Sequence, residues 1–247
     1  LGLGLLFAWH YRHDRRPHLR YWAASFLALS VFLACSGAAI LLARSGQPAL
    51  SLRTLFSLLS QLAAYVHVAT LVLGTLALRA GVEPPPYLAR GVIAAAFVLG
   101  IAATLAFAFD PAAAMSRIYV RVGLRNLVAA AAYLGVAFAL LHGQSWQQAP
   151  TGQRIVAFAL LCMGVCALGN FAVATLPVPL ERTVSGPWLN LFEFAAVAAI
   201  GAGLLVWMQG DDRARAEGAA HEVERLTFFD PRTGLPNRRL FVDRLVE

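Results

Sequence analysis

The sequence predicts an all-α chain embedded in a membrane, with about seven spans of which the first is truncated, followed by a helical linker into a further domain. Two observations carry the membrane assignment and a third the linker. Of 247 residues, 59% are apolar and only 13% charged, with a mean hydropathy of +0.66. Soluble domains run at about 45–50% apolar and about 25% charged, so this charge content cannot cover a water-facing surface. Apolar runs near the length of about 20 residues that a spanning helix needs recur along the chain, separated by Gly, Pro and charged breakers. After Met208 the composition turns abruptly charged and Ala-rich.

The elements can be taken in chain order. Leu1–Trp9 reads as the tail of a first span whose start lies outside the sequence, without the basic flank or cleavage site of a signal peptide. The chain is therefore expected to be a piece of a longer protein. Full spans are expected at about Trp22–Ala43, Thr54–Leu78, Gly91–Phe109, Ile118–Leu141, Ile155–Leu176 and Pro187–Met208. The gaps between them hold Arg44-Ser-Gly-Gln-Pro48, the triple proline Pro84–Pro86, Asp110-Pro111, and the stretch from Pro177 through Gly186. Residues 1–208 thus form a membrane bundle, 209–226 a juxtamembrane helix and 227–247 the start of another domain.

Charge is distributed to match. All 20 basic residues are Arg; 13 of them face 5 acids up to Met208, and 7 face 8 acids beyond it. Arg punctuates the gaps, as residues that meet lipid headgroups do, and forms no patch that would suit nucleic acid. Cys35, Cys162 and Cys166 all lie in apolar runs, so no disulfide framework is indicated. The loops on the C-terminal side of the membrane hold Arg12, Arg15, Arg16, Arg20, Arg79, Arg90 and, at an edge, Arg154. The opposite loops hold Arg44, Arg53, Arg117, Arg121, Arg125 and Arg182, a small bias toward a cytoplasmic C-terminus.

Polar groups inside spans are costly, so each is a candidate for function. Glu193 comes about one turn after Asn190 in the last span; it stands either near the interface or inside the bundle as part of a pocket or a counter-ion. Arg117, Arg121 and Arg125 repeat every four residues and are expected to form a stripe on one helix face. The outer ones would snorkel to headgroups, while Arg125 with Asn126 lies deeper, as a partner of Glu193 or an anion site. His67, with Gln61 and Tyr65, lies mid-span, where bonding to a neighbouring helix is expected before ligation. Cys162, Cys166 and Asn170 share a face; packing of small residues is expected there ahead of soft-metal binding with His67.

Beyond the bundle, Ala216, Ala219, Val223 and Leu226 are spaced 3, 4, 3, a single heptad seam. It fits either a solvated helix or a parallel two-helix stalk joining two protomers. The last segment, Leu226-Thr-Phe-Phe-Asp230-Pro-Arg-Thr233-Gly-Leu235-Pro-Asn237-Arg238, reads as helix end, tight turn and new helix. Asp230 would accept backbone N–H bonds, Pro231 fixes its own φ, and Asn237 stands as N-cap.

Asp230, Thr233, Leu235, Asn237 and Arg238 resemble the opening motif of GGDEF domains, the diguanylate cyclases, whose pattern is Asp-x-Leu-Thr-x-Leu-x-Asn-Arg. Arg232 stands where that family usually has Leu. The resemblance covers about a tenth of the chain. It implies an α/β GGDEF domain continuing past these residues, condensing two GTP into cyclic di-GMP with Mg²⁺ or Mn²⁺, and a homodimer that brings two such domains face to face. It also implies a multi-pass protein of the inner (plasma) membrane with a cytoplasmic C-terminus, where GTP is found. The family's metal carboxylates and glycine-rich loop have no counterpart in residues 1–247. The motif residues are therefore structural and none is catalytic. Two other readings stay open: a degenerate GGDEF domain ahead of an EAL-type cyclic di-GMP phosphodiesterase, and a non-enzymatic transporter or scaffold. The signal ligand is unspecified by any residue pattern.

Overall fold

The structure, a computed structural model, describes residues 1–44, 50–107, 111–142, 146–175, 187–237 and 241, with the backbone alone at 43, 44, 50, 51, 111, 114 and 187–190. The described residues are helical and form no strand. Helices α1 (Gly2–Asp14), α2 (Pro17–Arg44), α3 (Leu50–Ala80) and α4 (Pro86–Leu105) come first. After a 3-10 turn (Pro111–Ala113) come α5 (Ala114–Ile118), a π-helical segment (Tyr119–Leu124), α6 (Arg125–Leu141), α7 (Thr151–Thr175) and α8 (Pro187–Phe228).

Six of these stretches are long and apolar enough to cross a membrane, which makes this a multi-pass membrane protein: Pro17–Leu42, Leu52–Ala80, Pro86–Leu105, Met115–Leu141, Thr151–Thr175 and Leu191–Phe228. They correspond to the six full spans expected. Helix α1, with 13 residues, rises only about 20 Å and falls short of a span. Proline marks starts as its missing N–H and fixed φ allow: Pro17 opens α2 and Pro86 opens α4.

Two features depart from the expected elements. The fifth span is not one regular α-helix, because its winding loosens over Tyr119–Leu124. The juxtamembrane helix is not a separate element from the last span; α8 runs 42 residues without a break. Its second half is exposed, with Val223 and Leu226 more than half open. Among the described residues, the apolar seam of the juxtamembrane segment thus has no cover.

The main core joins α1, α2, α3, α6, α7 and α8 through Phe7, Trp22, Leu71, Tyr133, Leu160 and Leu204. Helix α4 packs on α3 through Ala96, Ala103, Tyr65 and Ala69. One end of the bundle is tied electrostatically. Arg16, only 12% exposed, bonds Asp212 and lies 3.4 Å from Asp14 and 3.7 Å from Asp211. Arg20 pairs with Glu83 at 3.1 Å. The turn between α1 and α2 is therefore clamped to α8 at the point where α8 leaves the apolar bundle.

Helix α8 approaches α7 backbone to backbone at this same end. A Cβ on Gly152 would stand 2.6 Å from the Gly203 carbonyl oxygen, and one on Gly203 would meet Ile155 and Val156 at 2.9 Å. Small residues at such crossings let helices associate by close van der Waals packing in lipid. Gly152→Ala is expected to destabilise the bundle by about 1–3 kcal/mol. Gly169→Ala, on an exposed face with nothing within 4 Å, leaves stability unchanged. Thermal unfolding of the two variants in detergent measures the contrast.

Candidate functional site

One group of buried polar side chains, Ser25, His67 and Tyr133, joins α2, α3 and α6. His67 on α3 is 7% exposed and is bonded at both ring nitrogens. Its Nδ1 lies 3.0 Å from the Ser25 carbonyl oxygen and 2.8 Å from Ser25 Oγ, and Nε2 lies 3.0 Å from Tyr133 Oη. A carbonyl can only accept, so Nδ1 carries a proton, and in the neutral ring Nε2 accepts from the Tyr133 hydroxyl. Ser25 Oγ in turn donates to the His67 carbonyl at 3.1 Å. This imidazole therefore fastens α2, α3 and α6 together. Both nitrogens are spoken for, which leaves this ring unsuited to hold a metal with Cys162 and Cys166. Among the described residues no group of three or more His, Cys, Asp or Glu is placed to hold one.

One layer away stand the charges. The expected stripe of Arg117, Arg121 and Arg125 does not form as one face. Each guanidinium goes to a different surrounding, because the looser winding between 119 and 124 changes the angular offset that four residues produce. Arg117 donates to the Phe107 carbonyl at 3.2 Å and Arg121 donates to the Thr104 carbonyl. Both therefore serve carbonyls at the end of α4, where the helix dipole favours cations. Arg125 instead turns inward, its guanidinium 5.0 Å from the Phe32 ring centre and within electrostatic range of Tyr65, Tyr133 and Glu193. Asn126, beside it, donates from Nδ2 to the Val122 carbonyl at 2.8 Å and so braces the π-helical segment.

Glu193 does not pair with Arg125 as the sequence suggested. Its Oε1 accepts from Asn170 Nδ2 at 2.8 Å, which links α7 to α8. The two side chains sit at the level where α7 and α8 meet, and Arg125 acts on Glu193 only through space. Cys166 is buried beside this pair on α7, while Cys162 is half-buried and lines a cavity of about 590 Å³ between α7 and α8 with Phe158, Phe192 and Arg154. The side chain of Asn190 lies outside the described residues, as does Arg238.

A second candidate lies at the far end of α8. Asp230 Oδ1 accepts from the backbone N–H groups of Arg232 and Thr233, both at 2.9 Å, and from Thr233 Oγ1 at 3.1 Å. These bonds hold its carboxyl below the ordinary aspartate value, the Thr233 N–H contributing most. The Gly234 N–H returns to the Asp230 carbonyl at 2.9 Å with φ at +70°, the left-handed region open to glycine. The Asp230 N–H donates to the Leu235 carbonyl at 2.8 Å, closing the turn. Asn237 bonds back to α8 twice, through its N–H to the Phe228 carbonyl and through Nδ2 to the Thr227 carbonyl at 2.7 Å. Its carbonyl accepts the Phe241 N–H at 3.1 Å, as a residue at a helix start does. Arg232 contributes only a backbone N–H to the turn and is exposed, so a side chain other than Leu at this place is compatible with it.

No protein-family model matches the sequence, and neither a curated protein nor a solved structure matches it.

The site residues that the sequence did not reveal are Ser25, Phe32 and Tyr133. Each is an ordinary member of an apolar run, and only packing brings it to a polar partner. Their energetic weights can be separated. Tyr133→Phe leaves Nε2 without a donor and is expected to cost about 1–2 kcal/mol. Ser25→Ala costs less, because the backbone carbonyl still takes the Nδ1 proton. Unfolding free energies of the two variants in detergent order the contributions.

Proposed function

We propose that the bundle is the input half of a membrane-bound signalling protein whose output is a cytoplasmic diguanylate cyclase in the same chain. The observation that carries this reading is the unbroken course of α8 from the Glu193–Asn170 bond, through the clamp at Asp211 and Asp212, to the Asp230 turn. A helix 42 residues long with one end among intramembrane polar groups transmits translation and rotation to the segment at its other end. That segment begins with Asp230, Thr233, Leu235, Asn237 and Arg238, the residues that resemble the start of a GGDEF domain.

In this reading the C-terminus is cytoplasmic, because GTP is, and the Arg-rich loop at Arg12, Arg15, Arg16 and Arg20 faces the same side in accord with the positive-inside rule. GTP and the Mg²⁺ or Mn²⁺ that such cyclases use belong to the domain beyond Asp230, and no residue of the bundle is assigned to them. Two copies of α8 pair through Ala216, Ala219, Val223 and Leu226, whose exposure in a single chain leaves the seam open to a partner. A signal that the bundle binds unequally in two states shifts α8 and with it the way two catalytic domains face each other. The Arg16 clamp opposes that shift, so its strength sets how readily the states exchange.

Rotational coupling makes a sharp expectation. One residue inserted after Ala219 turns the downstream seam by about 100° and alters cyclic di-GMP levels in cells that express the full-length protein, whereas a seven-residue insertion restores them. Unchanged cyclic di-GMP with the single insertion contradicts the coupling.

A further inference from the structure

Helices α7 and α8 are joined at two places. At one, Gly152 meets Gly203 backbone to backbone, and at the other Asn170 bonds Glu193. Between these contacts, on the outer side of the pair, lies the cleft of about 590 Å³. Ile155 and Phe158 of α7 and Phe192 of α8, all exposed, form its walls, and the buried Ala159 and Ala196 form its floor. Its polar groups collect at one end, where Arg154 and Thr151 line it in the first turn of α7. The Arg154 guanidinium bonds Thr151 Oγ1 at 3.2 Å and has no carboxylate within 4 Å among the described residues. Its own helix gives it no support, since the N-terminal end of a helix dipole is positive and favours an anion.

We propose that this cleft binds one long-chain fatty acid, with the carboxylate on Arg154 and Thr151 and the chain running along the α7–α8 groove toward Cys162. The head follows from charge: a carboxylate takes a guanidinium in a bidentate pair and accepts a bond from the Thr151 hydroxyl as well. The tail follows from depth. The eight residues from Arg154 to Cys162 rise about 12 Å, most of the half-thickness of about 15 Å that one leaflet gives the hydrocarbon core. A single chain follows from volume. At about 30 Å³ for a group the size of a water, and a methylene is about as large, the cleft holds roughly twenty. That is room for a carboxylate with about sixteen carbons and too little for a diacyl lipid. Trp146, exposed at the polar end of the cleft, is the kind of side chain that sits at headgroup level. The bound chain lies against Ala195, Ala196 and Ala199 of α8, so it bears on the helix that leaves the bundle. As the signal of an input module the acid rests on the reading given above; as the occupant of the cleft it does not.

Palmitate and its methyl ester, which share a chain and differ in charge, are the probes. Each competes with a nitroxide-labelled stearic acid for the full chain in phosphatidylcholine nanodiscs, at mildly alkaline pH so that the acids are ionised. The immobilised fraction of the label is read by electron spin resonance. Palmitate is expected to displace the label from one saturable site per chain. The ester is expected to be weaker by about tenfold or more, the weight of a hydrogen bond to a charged group. Arg154→Gln is expected to abolish the difference between acid and ester, and Arg154→Lys to keep part of it. Ala195→Trp, at an exposed position on the cleft, is expected to abolish the saturable site, whereas Val98→Trp, on an exposed face of α4, leaves it intact. Thermal unfolding establishes that each variant is folded. Equal affinity of acid and ester overturns the Arg154 assignment. A label fraction that never saturates is ordinary boundary lipid and overturns the site, as does a saturable site that survives Ala195→Trp. Phosphatidylglycerol that displaces the label as well as palmitate does overturns the single-chain assignment. None of these measurements involves GTP or the domain beyond Asp230, so their failure is separate from failure of the cyclase reading. Palmitate that fills the cleft and leaves cyclic di-GMP unchanged in cells overturns it as the signal.

Discussion

His67 is the interaction on which the arrangement of this bundle depends. In a chain whose helices are apolar on nearly every side, hydrophobicity selects the membrane but selects no particular neighbour, because lipid tails are as apolar as leucine. Directional bonds must supply the register. His67 supplies it for three helices at once, since Ser25 on α2 and Tyr133 on α6 take its two nitrogens in a single tautomer. With α2, α3 and α6 set by that ring, Tyr65, half a turn away on α3, comes within electrostatic range of Arg125. Gly152 and Gly203 do the corresponding job for α8, fixing it against α7 by shape where no polar bond is made.

The looser winding of Tyr119–Leu124 has a physical use in this setting. A regular α-helix would carry Arg117, Arg121 and Arg125 on one slowly drifting stripe, all facing either lipid or the bundle. The π-helical turn lets the first two close off the carbonyls of α4 while the third enters the interior. Three cations that would each cost about 2.5–3.5 kcal/mol at the centre of a span are thereby divided between helix-end capping and a buried position. Such turns recur at functional sites because they reset side-chain direction without breaking the helix.

How much of this could be read from the residues depends on the range over which each feature is set. The spans were legible because about 20 apolar residues between breakers admit almost one structure in a bilayer, and Pro17 and Pro86 sharpen two starts. The Asp230 turn was legible because its partners, Arg232 and Thr233, are two and three residues away. The continuation of α8 past Met208 was half-legible: helix formers predicted a helix, but not that it would be one piece with the span. The π-helical segment left no mark, since nothing in Tyr-Val-Arg-Val-Gly-Leu distinguishes a π-turn from an α-turn. Partners far apart in the chain also left none. Tyr133 lies 66 residues from His67 and Asp212 lies 196 from Arg16, and their pairing exists only after the helices have packed. The bond of Glu193 to Asn170, 23 residues away, was hidden in the same way, where the residues offered Arg125 as one alternative partner.

The central claim is that α8 carries a change made among the intramembrane polar groups to its own far end. Spin labels at Val82→Cys, in the exposed turn between α3 and α4, and at Val223→Cys, on the outer half of α8, report on it directly once the three native cysteines are replaced by alanine. The distance distribution between the labels is measured in nanodiscs with Glu193 intact and with Glu193→Leu, which deletes the bond to Asn170. The account predicts a shifted or newly split distribution in the variant, with Val223 lying 30 residues along the chain from the altered side chain. An identical distribution in the two proteins would contradict it.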